Sequence, residues 1–319
     1  MHPAWYYMIS FSVAFLIVFL MVPSIRKIAL RIGFVDKPNQ RKTHTEPVPL
    51  LGGIGIYISF VITAGLFGKA GKTFWGIALG GLLILAIGAL DDFYKTKSRD
   101  FKPWPRFLTQ ILAALILVGC NITINGINDP FSGHYYTFPL WLSILTTVIW
   151  TVGITNMINF LDGIDGLAAG ISAISAMSLF FIALLKEQYP MAVLSLVLMG
   201  SALGFLRHNF YPARIFMGDA GATFLGFVLA AIAVEGAFKS ATLISVIVPV
   251  LALGVPIADT VWVITKRFRE NRPIYLGDRG HTFHILMRFG LTQIQTVAIF
   301  YVVGLFFSIA SIAVLLVAK

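Results

Sequence analysis

Ten apolar runs, each near the roughly 20 residues that cross a hydrocarbon core, leave this chain little choice but a membrane-embedded helix bundle. They read as Trp5–Ile25, Leu50–Phe67, Phe74–Leu90, Phe107–Ile124, Leu140–Ile158, Leu167–Leu185, Met191–Leu206, Ala220–Glu235, Leu243–Thr265 and Gln293–Val317. Only short connections join them. The expectation is an all-α integral membrane protein of about ten transmembrane helices, with residues 1–319 forming one polytopic domain. Charged residues make up 12% of the chain, against about 25% in soluble domains, which leaves no separate water-soluble domain.

Basic residues set the orientation. Of the 24 Lys and Arg, only Lys69, Lys72, Lys186, Lys239 and Lys319 fall after even-numbered spans. All others follow odd-numbered spans, which places those loops in the cytoplasm and both termini outside. Acids share that side, because of the 14 only Asp129, Glu187 and Glu235 face outward. The chemistry is therefore expected at the cytoplasmic face of the membrane.

The net charge of +10 needs no nucleic-acid partner, since anchoring against anionic lipid accounts for it. Cys120 is the lone cysteine, so neither a disulfide framework nor a thiolate metal site is available. Arg26, Lys27 and Arg31 follow the first apolar run rather than precede it. That polarity is the reverse of a cleaved signal peptide, so the first helix is expected to stay. Glycines at four-residue spacing, Gly76/Gly80, Gly166/Gly170 and Gly200/Gly204, suit close helix approach.

Three acidic clusters sit where cytoplasmic loops meet spans, and a carboxylate there is a functional-site hypothesis by default. Asp91 and Asp92 end the third span. Two acids at a helix C-terminus oppose the helix dipole. Neighbouring helical residues point about 100° apart, so one acid can face a site while the other braces a second helix. Lys95, Lys97, Arg99, Lys102 and Arg106 follow. At the fifth junction Asn156, Asn159, Asp162 and Asp165 recur every third residue, with Gly163 and Gly166 after the acids. This spacing keeps the polar groups on one helix face until the glycines unwind the chain. The junction holds no Lys or Arg, so an external cation is expected to balance it. Oxygen donors of this kind suit Mg²⁺ or Mn²⁺. Asp219 follows Gly218 at the start of the eighth span, with Phe216 just before it, where its ring could stack on a flat base.

The first cytoplasmic loop carries Asp36-Lys37-Pro38-Asn39, Arg41-Lys42 and His44 before Gly52-Gly53, whose backbone N–H groups are expected to face an anion. The last carries Lys266, Arg267, Arg269 and Arg272, then Asp278-Arg279-Gly280-His281-Thr282-Phe283-His284. Arginine forks match phosphate oxygens. Buried Asp259 is expected to organise this loop.

These motifs resemble the polyprenyl-phosphate N-acetylhexosamine-1-phosphate transferases over nearly the whole chain. The first loop is most similar to the branch that uses UDP-N-acetylglucosamine. It is less similar to the phospho-N-acetylmuramoyl-pentapeptide branch. The resemblance implies that Asp91 and Asp92 match the family's aspartate pair, the first a proposed base. Asp219 then ligates magnesium, with Asn159 completing the site and Asp162 beside it. Asp165 contacts uracil and Phe216 stacks on it. Arg106 stands where the family usually has a lysine on the diphosphate. His281 and Arg279 contact sugar or phosphate, and Asn156, His284, Lys37 and His44 are further substrate-binding candidates. The loop departs from the family's His-x-His-His cluster, because Phe283 replaces the middle histidine.

The implied reaction moves GlcNAc-1-phosphate from UDP-GlcNAc to undecaprenyl phosphate, giving undecaprenyl-diphospho-GlcNAc and UMP. It would be the first membrane step of an envelope glycan such as a teichoic acid linkage unit, O-antigen or common antigen. The expected cofactor is Mg²⁺, with Mn²⁺ as substitute. Expected partners are UDP-GlcNAc, undecaprenyl phosphate and membrane lipid, with a homodimer admitted. UDP-MurNAc-pentapeptide or another UDP-HexNAc is the rival donor. A cation-coupled transporter is the rival outside enzymes, although its acids belong near the bilayer midplane.

Overall fold

Each of the ten apolar runs becomes helix. In the computed structural model, which describes residues 3–36, 47–68, 70–97, 99–128, 135–236, 244–270 and 280–317, the chain opens with α1 (Ala4–Ile32). There follow the short strands β1 (Val35–Asp36) and β2 (Val48–Pro49), then α2 (Gly52–Phe67), α3 (Lys72–Thr96) and α4 (Pro103–Gly119). Strands β3 (Gly126–Asn128) and β4 (Tyr135–Thr137) precede α5 (Leu140–Leu161), α6 (Leu167–Leu185), α7 (Tyr189–Asn209) and α8 (Gly218–Gly236). The last elements are α9 (Ile244–Ala252), α10 (Gly254–Arg269), α11 (Thr282–Arg288) and α12 (Gln293–Val317). The strands form two antiparallel ribbons, β1 with β2 in the register Val35 to Pro49 and β3 with β4 in the register Gly126 to Thr137.

Helices α1, α3, α5, α6, α7, α8 and α12 are long and apolar enough to cross a membrane, and α2 and α4 are shorter apolar helices. The chain is a multi-pass, all-α membrane protein. Leu16, Leu20, Trp104 and Phe306 are among many large apolar side chains on its outer surface, as expected where the surrounding solvent is hydrocarbon.

α8 is buried along nearly its whole length and packs against α2, α3, α5, α6 and α7. α1 lies across α7 and α2. Gly200 and Gly204 explain that close crossing: a Cβ at either would stand 2.5 Å from a carbonyl oxygen of α1, that of Phe11 or Phe15. Ser59 adds a polar tie, donating from Oγ to the Ala14 carbonyl at 2.7 Å with Ser201 Oγ 3.1 Å away.

One expectation is corrected. The ninth run is not one continuous span, because α9 and α10 meet at Leu253 with a bend of 85°. In an unbroken helix Pro256 would leave the Ala252 carbonyl without its N–H partner. Restarting at Gly254 puts Pro256 in a first turn, where that N–H is not needed. The third helix runs past Leu90 to Thr96, which leaves Asp91 and Asp92 in its last two turns.

Candidate active site

The last turns of α3 separate the two aspartates by function. Asp92, 1% exposed, turns toward α8. Its Oδ1 accepts the Asp219 N–H at 2.9 Å and its Oδ2 the Ala220 N–H at 3.1 Å. A carboxylate thus satisfies the free N–H groups at the positive end of α8, the arrangement favoured by capping and by the dipole. Gly218 makes room for it: φ is +68°, and a Cβ there would lie 2.2 Å from Asp92 Oδ2. One turn back on α3, a Cβ at Gly88 would stand 2.5 Å from Ala220 Cα. The two backbones touch, which is why the carboxylate reaches.

Asp91 points round the helix to a different set of groups. Arg106, in the first turn of α4, donates from Nη1 to Asp91 Oδ2 at 2.7 Å and to Asp219 Oδ2 at 2.6 Å. Lys95 Nζ lies 2.6 Å from Asp219 Oδ1, 3.8 Å from Asp92 Oδ1 and 3.9 Å from Asp91 Oδ2. Three carboxylates therefore face two cations at one corner of the bundle. Such burial is tolerable only because every charge is paired.

Beside this corner is the end of α5. Asn159 sits in its last turn, and its carbonyl accepts the Asp162 N–H at 3.2 Å. Burial, and then the charge of Asp219, push the Asp162 carboxyl up to about 7, against the opposing pull of Lys95. Asn156 is turned to α4 instead. Its Nδ2 donates to Gln110 Oε1 at 2.7 Å, and Gln110 Nε2 donates back to Asn156 Oδ1 at 3.3 Å. The amide that the sequence offers for substrate here braces two helices.

The turn between α5 and α6 is pinned from several sides. Asp165 Oδ2 accepts the Ala213 N–H at 2.9 Å. Asn209 Oδ1 accepts the Gly166 N–H at 3.1 Å, while its Nδ2 donates to the Ile215 carbonyl at 3.0 Å. Tyr301 Oη donates to the Gly166 carbonyl at 2.7 Å. Asp165 is thereby joined to the segment that carries Phe216.

That segment is also clamped to the start of α2, which overturns one expectation. The Gly52 and Gly53 N–H groups do not face an anion. They donate to the Phe216 and Met217 carbonyls, both at 3.0 Å, and the Phe216 N–H donates to Pro49 at 2.8 Å. The paired glycines serve packing, since a Cβ at Gly53 would lie 2.4 Å from the Gly221 nitrogen.

The final loop reaches the same region. His281 Nδ1 is 2.8 Å from Asp259 Oδ2, and the Thr282 N–H donates to Asp259 Oδ1 at 2.8 Å. Phe283 is buried against Gly163, and the His284 ring lies 4.4 Å from it. Lys37, His44 and Arg279 lie outside the described residues.

Residues 74–237 match the glycosyl transferase family 4 model. A probable undecaprenyl-phosphate N-acetylglucosaminyl 1-phosphate transferase of Bacillus subtilis is 37% identical over 307 residues, covering 95% of this chain and 84% of the relative. The chain belongs to glycosyl transferase family 4. A decaprenyl-phosphate N-acetylglucosaminephosphotransferase of Mycobacterium tuberculosis is 31% identical, over 90% of this chain and 77% of the relative. A phospho-N-acetylmuramoyl-pentapeptide-transferase of Limosilactobacillus fermentum is 31% identical, over 95% of both chains. The part that matches the glycosyl transferase family 4 model holds Asp91, Asp92, Arg106, Asp162, Asp165 and Asp219, whereas Asp259 and His281 lie beyond it.

Sequence reasoning missed the work of Lys95, Gln110, Asn209 and Tyr301. Lys95 was legible, standing four residues after Asp91 and three after Asp92 on one helix face. The others meet partners on distant helices, which no local pattern announces. For a divalent ion, the carboxylates of Asp219 and Asp162 are donors of the right kind, the oxygens of Asp219 now meeting Lys95 and Arg106. Among the described residues no three Asp, Glu, His or Cys side chains converge closely enough to hold an ion by themselves. A dication here would therefore complete its shell with an amide oxygen, water or substrate phosphate.

Proposed function

We propose that this protein transfers GlcNAc-1-phosphate from UDP-GlcNAc to undecaprenyl phosphate in the cytoplasmic leaflet, releasing UMP. The observation that carries the reading is the meeting of Asp91, Arg106 and Asp219, from three different helices, in a chain related over 95% of its length to a probable transferase of that kind. A phosphate oxygen of the lipid attacks the β-phosphorus of the sugar nucleotide. The bond from that phosphorus to the oxygen shared with UMP breaks, and UMP leaves with the electron pair. One diphosphate replaces another, so the transfer is freely reversible.

The chain's task is to bring two anions together and hold them in line. Arg106 offers a guanidinium fork to the diphosphate, and Lys95 stands beside it. A phosphate monoester is already largely ionised near neutral pH (second pKa about 6), so removal of a proton by Asp91 is the smaller contribution. Asp219, with Asp162 and Asn159, would hold Mg²⁺, which when bound supplies positive charge to the diphosphate and the leaving UMP. Asp165 and Phe216, fixed in one unit, take the uracil. Basic residues concentrated after odd-numbered spans orient the site to the cytoplasm. The step would begin an envelope glycan.

The test is exchange of radiolabelled UMP into UDP-GlcNAc by the purified protein. Exchange that requires both undecaprenyl phosphate and Mg²⁺ supports the reading, whereas exchange without the lipid, or none at all, rejects it. Competing UDP-sugars decide the donor, and preference for UDP-MurNAc-pentapeptide would move the protein to the activity named for the Limosilactobacillus relative.

A further inference from the structure

One buried carboxylate joins the final loop to the site, and the transfer described above gives it no role. Asp259 lies on α10 and is 5% exposed. Both its oxygens are directed at the loop, Oδ2 to His281 Nδ1 and Oδ1 to the Thr282 N–H, each at 2.8 Å. The His281 ring is also held by aromatic neighbours. Phe283 stacks on it with centroids 5.6 Å apart and planes 11° from parallel, and Phe160 lies 5.7 Å away. Phe160 belongs to the last turn of α5, two residues before Asp162. Phe283 packs against Gly163, where a Cβ would come within 2.5 Å of its ring. The imidazole is thus fixed by a carboxylate at one nitrogen and by rings that belong to, or press on, the Asp162 turn.

An ionised carboxylate can only accept hydrogen bonds, so the proton of a neutral His281 ring lies on Nδ1. Nε2, on the opposite side of the ring, is left for another partner. We propose that Asp259 is a positioning residue for the transfer: it fixes His281 as the Nδ1–H form beside the Asp162 turn and presents the unprotonated Nε2 as an acceptor to a hydroxyl of the substrate. This rests on the function proposed above. It differs from a purely structural role, in which Asp259 would only cap α11, because its whole effect on turnover should pass through His281.

A double-mutant cycle and a spectroscopic measurement test it. Asp259→Asn can donate an amide hydrogen to Nδ1, which drives the ring proton to Nε2. Loss of an outer-shell partner of a working histidine commonly costs about 10- to 100-fold in activity, and kcat of Asp259→Asn is expected in that range. KM for UDP-GlcNAc should change less than about threefold, and the double variant Asp259→Asn/His281→Gln should be no slower than His281→Gln alone. Nitrogen-15 spectra of histidine-labelled wild type, with His281 assigned by its loss in His281→Gln, should show the proton on Nδ1. The proposal is overturned if Asp259→Asn lowers kcat by the same factor with and without His281, or if the wild-type proton sits on Nε2. Should Asp259→Asn fail to fold, the wild-type spectrum decides alone. Should the wild type show no exchange, the proposed function has failed, and the tautomer still reports whether Asp259 controls the ring.

Discussion

Two neighbouring parts of the candidate site handle negative charge in opposite ways. At the corner of α3, α4 and α8, each of Asp91, Asp92 and Asp219 meets a cation or a backbone N–H within 3 Å, all carried on regular helix. The end of α5 and the turn that follows it, residues 156–166, contain no Lys or Arg. There Asp162 is half-buried, with its carboxyl pushed up to about 7. The corner pairs its own charges, and a dication at Asp219 would take the place of Lys95 or Arg106 there. The turn holds an acid whose ionisation depends on what is brought beside it. A site that receives a polyanion and a dication together, as proposed above, would benefit from both: fixed charges for orientation and one acid tuned by its neighbours.

The largest expected effect comes from the corner. Asp219→Ala should lower UMP exchange by about 10³-fold or more, the upper range for losing one preorganised electrostatic group, and exchange within tenfold of wild type would remove Asp219 from the chemistry. Asp92→Ala should act first on stability. It deletes two hydrogen bonds to a carboxylate, each worth about 1.5–3 kcal/mol, so the thermal midpoint should fall by several degrees with a smaller fall in the Asn variant. An unchanged midpoint would mean that the α8 cap contributes nothing.

The turn should respond to pH instead. A carboxyl raised to about 7 is protonated below that pH, and a proton competes with a dication for its oxygens. The Mg²⁺ concentration giving half-maximal exchange should therefore rise as pH falls through 7, approaching about tenfold per pH unit. Asp162→Asn should flatten that dependence; an equally steep dependence in the variant places the titrating group elsewhere. The smallest effect is expected at the brace between the two regions. Gln110→Leu leaves Asn156 Oδ1 without its donor and Nδ2 with the Val152 carbonyl alone, and should cost about 1 kcal/mol of stability. The pair Gln110→Leu/Asn156→Leu should recover most of it, and additive losses would show that the two amides do not depend on each other.

Much of the fold was legible because hydrocarbon enforces a simple rule: long apolar runs become helices. The break at Leu253 was harder to see, since Pro249, Gly254 and Pro256 lie inside an otherwise unbroken apolar run. At the site, the acids stood out because they are costly in such a chain. Their division of labour did not, for Asp91 and Asp92 differ only in which neighbouring helix each faces. Gly52 and Gly53 misled for a related reason. A glycine pair opening a helix suits both anion binding and close packing, and only the position of Gly221 and the Phe216–Met217 carbonyls decides between them. Asn156 shares the three-residue spacing of Asn159 and Asp162 yet meets Gln110, a partner 46 residues away on another helix.

Whether a dication sits at Asp219 against the sugar-nucleotide diphosphate is read most directly by pulsed electron paramagnetic resonance with Mn²⁺ in place of Mg²⁺. Wild-type protein with UDP-GlcNAc should show phosphorus-31 coupling to protein-bound Mn²⁺, and Asp219→Ala should lose it. Coupling that persists undiminished in Asp219→Ala, or no protein-bound Mn²⁺ in the wild type at saturating substrate, would contradict the site described here.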